Sequence, residues 1–176
     1  MRILLSGGSK SGKSGAAQDI VRKLAGDGPV YYWAAMEPVD REDDERIRNH
    51  LADRDGLGFI TIERGRSLAD EPPLPREASV LFDSVTALLA NEMFGGGYDA
   101  GAPERALAEL LALSAKCRNF VCVADEVFRD GAVFEETTES YRRGLAAICR
   151  GLAKEFDAAA EVSCGVIRIM KGRLPE

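Results

Sequence analysis

Histidine is almost missing from this sequence: there is one, His50. Tryptophan also occurs once, and the four cysteines, at 117, 122, 149 and 164, form no CxxC pair. One histidine and scattered thiols cannot make up the four ligands of a structural zinc site. Cys122 and Cys164 fall inside apolar runs and read as buried thiols in a reducing, cytoplasmic setting. Positive charge is in deficit too. The 23 Lys and Arg against 29 Asp and Glu leave a net charge of -6. Such a chain is not expected to bind nucleic acid, which calls for clustered cations. Any phosphate site must therefore be local. No stretch approaches the ~18 apolar residues of a membrane span, and the apolar run after Met1 is too short for a signal peptide. What is left is an ordinary globular balance, 45% hydrophobic and 30% charged. Its 176 residues suit one domain, 1–176, with its own core.

Apolar runs alternate with helical patterns along the chain. "RILLS" (2–6) reads as a short buried strand, followed by a helix over 13–25 that stops at "GDG". "PVYYWAA" (29–35) is an aromatic-rich strand, expected to be exposed enough to serve an interface. "DREDDERIRNHLADR" (40–54) is helical, with acid in its first turn, where the helix dipole favours it. "FITIE" (59–63), "ASVLFD" (78–83) and "NFVCVAD" (119–125) are further strands. Helices are expected up to Met93, from "PERALAELLAL", and over 138–156. "EVSCGVIRIM" reads as two strands meeting near Gly165. Near-continuous apolar strands separated by helices predict an α/β fold: a mostly parallel sheet flanked by helices, made mixed by the C-terminal hairpin.

"GGSKSGKS", Gly7 to Ser14, fits G-x-x-x-x-G-K-[ST] in full. Each part has a physical reason. Gly7, Gly8 and Gly12 allow backbone angles that aim successive N–H groups inward, with Ser9, Lys10 and Ser11 between them. The helix starting at Lys13 adds its positive end. Lys13 brings a full charge to the β and γ phosphates, and the Ser14 hydroxyl can ligate Mg²⁺. The loop falls between a predicted strand and a predicted helix, the context a phosphate cradle needs. A P-loop NTPase-like fold follows. The metal needs a second carboxylate at the end of a neighbouring strand. Asp83 and Asp125 both fit, with Asp83 the better candidate; the alternative is that either caps the segment after it.

His50 shares a helix face with Ile47, Leu51 and Arg54 by three–four spacing. Taken alone, such a histidine is a packed residue. The wider pattern points elsewhere. "RILLSGGSKSGKS", "DREDDERIRNHLADR", "FITIE", "LFDSVTALLAN", "VADEV" and "SCGVIRIMK" occur in this order from end to end. The chain resembles the bifunctional adenosylcobinamide kinase / adenosylcobinamide-phosphate guanylyltransferase family of cobalamin assembly. The P-loop is common to many families, whereas its combination with "RIxxH" and "D-x-x-T-x-x-x-x-N" is far more specific.

The resemblance implies that His50 is guanylylated, with GTP the GMP donor, ATP or GTP the phosphate donor and a corrinoid the acceptor. A neutral imidazole, with a reference pKa of about 6.5, is a competent nucleophile toward phosphorus. The resemblance places nucleotide contacts on Gly7–Ser14, Ala34, Ala35, Met36, Leu51, Ala52, Asp53, Arg54, Glu63 and Asp83. It puts catalysis on His50 and Lys13 and the protein in a homotrimer, while Mg²⁺ falls to Ser14 and Asp83 by the loop and strand-end reading above.

Several positions depart from the family pattern. Ala35 stands for Thr, Asp125 for Asn and Phe128 for Gly. Arg143 stands for an acid, Ala146 for Gly, and Cys149-Arg150 for Asn-Gln. Two other classes fit the same residues: a P-loop enzyme with one activity or another acceptor, and a non-catalytic GTP-binding regulatory subunit.

Overall fold

The computed structural model describes residues 1–37, 56–70, 74–127 and 131–175. Its strands are β1 (Arg2–Gly7), β2 (Val30–Ala34), β3 (Phe59–Glu63), β4 (Ser79–Asp83), β5 (Asn119–Asp125), β6 (Ala158–Ser163) and β7 (Val166–Lys171). The described helices are α1 (Lys13–Ala25), α2 (Val85–Phe94), α3 (Ala102–Lys116) and α4 (Glu136–Glu155). The strands form one sheet in the order β3-β2-β4-β5-β1-β6-β7, parallel throughout except for the antiparallel β6–β7 pair. With the glycine loop between β1 and α1, this is the P-loop NTPase-like fold that the sequence predicts. The expected helix over 40–54 lies outside the described residues.

The strands read as apolar runs because helices cover both faces. Ile3, Leu5, Val121 and Val123 pack with Ala17, Ile20 and Val21 of α1. Leu4, Val80, Phe82, Phe120 and Cys122 face the other way, onto Leu88, Leu110, Leu145 and Ile148 of α2, α3 and α4. Trp33, Phe82, Phe120 and Phe156 are fully buried and form a chain of ring contacts about 6 Å apart. Truncating one of these rings to Ala costs about 3–5 kcal/mol. Close packing of α3 on α4 uses Gly144 and Gly151, where an added Cβ would meet Pro103 and Leu107 at 2.7 and 2.6 Å.

Two expectations are corrected here. The aromatic strand β2 is interior, with Tyr32 and Trp33 buried between β3 and β4. Of its three aromatic side chains only Tyr31 is partly exposed. Among the described residues, four exposed apolar side chains lie together on the edge strand β7, at Val166, Ile167, Ile169 and Met170. Cys164 is exposed, not buried, because it lies in the β6–β7 turn with φ 51°. A tight turn at the sheet edge interrupts the run that looked like continuous core.

Candidate functional site

The parallel register brings the strand ends into one line. Glu63, Ala34 and Asp83 are cross-strand neighbours on β3, β2 and β4. Gly7 is level with Asp125 on β1 and β5. Open parallel sheets bind ligands at this carboxyl edge.

The loop from Gly7 to Ser14 stands at that edge. Gly12 precedes α1 with φ 93°, a left-handed conformation that suits glycine. Lys10 also has positive φ, 57°, a strained backbone of the kind that persists at ligand clamps. No side chain caps α1, and no acidic residue lies in its first turn. Its first N–H groups therefore keep their partial positive charge for an anion. The Ser11 hydroxyl is buried in the loop without a hydrogen-bond partner.

The loop is braced by the C-terminal hairpin. Gly165 N–H donates to the Ser11 carbonyl at 2.9 Å. A Cβ on Gly7 would meet the Val162 carbonyl oxygen at 2.4 Å, so β6 runs hard against the start of the loop. The sequence places Gly165 at a turn; its contact with the phosphate loop is a product of the fold.

Lys13 is buried, and its ammonium is held in two places. It donates to the Gly8 carbonyl at 3.2 Å and pairs with Asp125 Oδ1 at 2.5 Å. Asp83 is engaged differently, accepting the Tyr32 hydroxyl on Oδ2 at 2.6 Å. A neutral hydroxyl leaves the Asp83 charge in place for a cation, whereas the Asp125 charge is already matched by Lys13. Asp83 is not a helix cap: Ser84 caps α2, its hydroxyl accepting Ala87 N–H at 3.2 Å.

The remaining expected residues divide clearly. Ala34, Met36 and Glu63 lie at the carboxyl edge and are partly or fully exposed. Ala35 has its side chain in the core; its N–H donates to the Asp83 carbonyl and its carbonyl accepts from Asn91. His50, Leu51, Ala52, Asp53 and Arg54, like Phe128, lie outside the described residues. The structure thus brings Gly7–Ser14, Asp125, Asp83, Ala34 and Glu63 to one edge.

Three residues acquire explanations that spacing alone did not provide. Asn91 Nδ2 donates to the Ala35 and Gly65 carbonyls at 2.7 and 3.1 Å, joining the ends of β2 and β3. The Thr86 hydroxyl accepts the Asp125 N–H at 2.7 Å, fixing the end of β5. Arg142 Nε donates to the Val127 carbonyl at 2.7 Å and anchors the segment after β5. Asp83, Thr86 and Asn91 are the fixed positions of "D-x-x-T-x-x-x-x-N"; the motif marked them, and the fold shows what Thr86 and Asn91 hold.

The family model for cobinamide kinase / cobinamide phosphate guanyltransferase matches residues 3–169. The chain belongs to this family. Within the family, it is similar to the bifunctional adenosylcobalamin biosynthesis protein CobU of Salmonella typhimurium, 32% identical over 145 residues, covering 72% of this chain and 76% of that protein. It is equally similar to the protein of that name from Escherichia coli, 32% identical over 141 residues with the same coverage. Among solved structures, it is similar to the flagellar accessory protein FlaH from Methanocaldococcus jannaschii, with a TM-score of 0.48 and 14% identity over 98% of this chain and 78% of that one. Membership of the cobinamide kinase family makes this chain a nucleotide-dependent transferase of cobalamin biosynthesis at the family level. No described helix is long and apolar enough to cross a membrane.

Proposed function

We propose that this chain phosphorylates adenosylcobinamide and then transfers GMP from GTP, through a guanylylated His50, to adenosylcobinamide phosphate, giving adenosylcobinamide-GDP. The observation that carries this reading is a buried P-loop lysine paired with the strand-end carboxylate of Asp125, at the sheet edge that also carries Asp83, in a member of the cobinamide kinase family. The loop N–H groups and Lys13 would hold the phosphates and offset charge on the transferring group. In the guanylyl step an imidazole nitrogen of His50 bonds to the α-phosphorus and the bond to pyrophosphate breaks. The acceptor phosphate then attacks the same phosphorus and the P–N bond breaks, restoring the imidazole.

Ser14 and Asp83 would hold Mg²⁺. Among the described residues no group of three or more His, Cys, Asp or Glu is placed to hold a metal. The proposed ion would take one hydroxyl, one carboxylate, phosphate oxygens and water. When bound, it neutralises phosphate charge. We further propose a cytoplasmic homotrimer.

A second reading, retention of one activity or a changed acceptor, is favoured by where the chain departs from its family. Ala146, Cys149 and Arg150 all line a cavity of about 310 Å³ between α4 and β1, β6 and β7, with Glu126 and Ser6 also in its wall. Incubation with GTP labelled at the α-phosphate separates the readings. Acid-labile, base-stable label on the protein, lost in His50→Ala, is expected for the two-step enzyme. Transfer or hydrolysis of the γ-phosphate without such label supports the second reading. Binding of GTP with neither reaction overturns both and leaves a regulatory subunit.

A further inference from the structure

Lys13 serves two anions. Its ammonium is already paired with Asp125 Oδ1 at 2.5 Å, and the same ammonium is the cation a bound phosphate would use. The Asp125 backbone cannot readily swing away, since its N–H is tied to the Thr86 hydroxyl at 2.7 Å and its strand is level with Gly7. A phosphate oxygen in hydrogen-bond contact with Lys13, at about 2.8 Å, would therefore lie within about 5 Å of a carboxylate oxygen. Two anions at that spacing repel strongly in a partly dry site. The Asp125 side chain is one-third exposed, so solvent screens it only in part.

A divalent cation reverses the sign of this interaction. The metal–triphosphate complex carries less negative charge, and an ion held by Ser14 and Asp83 would offset the phosphate charge that Asp125 repels. We propose that Asp125 makes the phosphate loop select the Mg²⁺–nucleotide complex by rejecting the free nucleotide. The proposal rests on the nucleotide-binding reading above. It assigns Asp125 a role distinct from that of Asp83: Asp83 favours the complex by attracting the metal, and Asp125 disfavours the nucleotide that lacks it.

The test is fluorescence titration of the full chain with N-methylanthraniloyl-GTP, in excess Mg²⁺ and in excess EDTA. Asp125→Asn keeps the size of the side chain and removes its charge. It is expected to tighten binding in EDTA by about tenfold and to change binding in Mg²⁺ by less than about threefold. Asp125→Ser, which lacks both charge and amide, is expected to shift in the same direction. Asp83→Asn is expected to weaken binding in Mg²⁺, the opposite of a gain confined to EDTA. Unchanged or weaker EDTA binding in both Asp125 variants overturns the proposal while leaving nucleotide binding intact. No binding by wild type in either condition overturns the phosphate-loop reading and this proposal with it.

Discussion

Gly7→Ala is expected to destabilise the fold, and Gly8→Ala is not, although the two residues are adjacent in the same motif. A Cβ at Gly7 would lie 2.4 Å from the Val162 carbonyl oxygen and 2.8 Å from Ser11 Oγ. The serine can rotate. The carbonyl cannot, because Val162 belongs to β6, which is paired with both β1 and β7. The edge of the sheet must therefore shift, and overpacking of this kind costs about 1–3 kcal/mol. With a urea dependence of about 2 kcal/mol per molar, the unfolding midpoint falls by roughly 0.5–1.5 M. At Gly8 a Cβ meets nothing within 4 Å. An unobstructed surface substitution changes stability by less than about 0.5 kcal/mol. Urea titration followed by far-ultraviolet circular dichroism measures both variants against wild type. Equal midpoints for the two variants would refute the claim that β6 braces the loop at Gly7. The same pair separates two demands on the motif, since Gly8 borders open space where a ligand could lie.

Asn91→Ala removes two donors and leaves the Ala35 and Gly65 carbonyls without them, which costs about 2–3 kcal/mol. Asn91→Asp turns the donating amide into an acceptor facing those carbonyls and is expected to cost at least as much; a wild-type urea midpoint in Asn91→Ala would disprove the strand-joining role. Thiol titration of the native protein is expected to find one fast group, Cys164, because it is exposed while burial pushes Cys117 up to about 11, Cys149 up to about 12 and Cys122 well above its ordinary value. Two or more fast thiols would contradict this. The raised thiols also set the sign of a pH effect. Their contribution to stability is complete below about 9, the ordinary value, and is lost as pH rises from there through about 11 and 12, because the unfolded chain releases those protons first. A urea midpoint that rises between pH 9 and pH 11 would reverse that sign, at values set by the linkage of proton release to unfolding.

The sequence alone determined the local chemistry of the loop. Gly7, Gly12, Lys13 and Ser14 fall within eight consecutive residues, so their spacing is enough to define an anion nest followed by a helix. It also determined the strands, since burial on both faces writes itself as runs such as "VLF" and "FVCVA". Periodicity and turn chemistry are properties of neighbours along the chain. Tertiary structure decided everything that depends on which strands lie side by side. Asp125 meets Lys13 because β5 pairs with β1, and Asp83 meets Tyr32 because β4 pairs with β2. The strand order, the bracing of the loop by Gly165 and Val162, and the exposure of Cys164 at a turn all arise from contacts between distant segments. No local pattern encodes such contacts, because long-range pairing is chosen by the packing of the whole sheet and not by any one segment's preference.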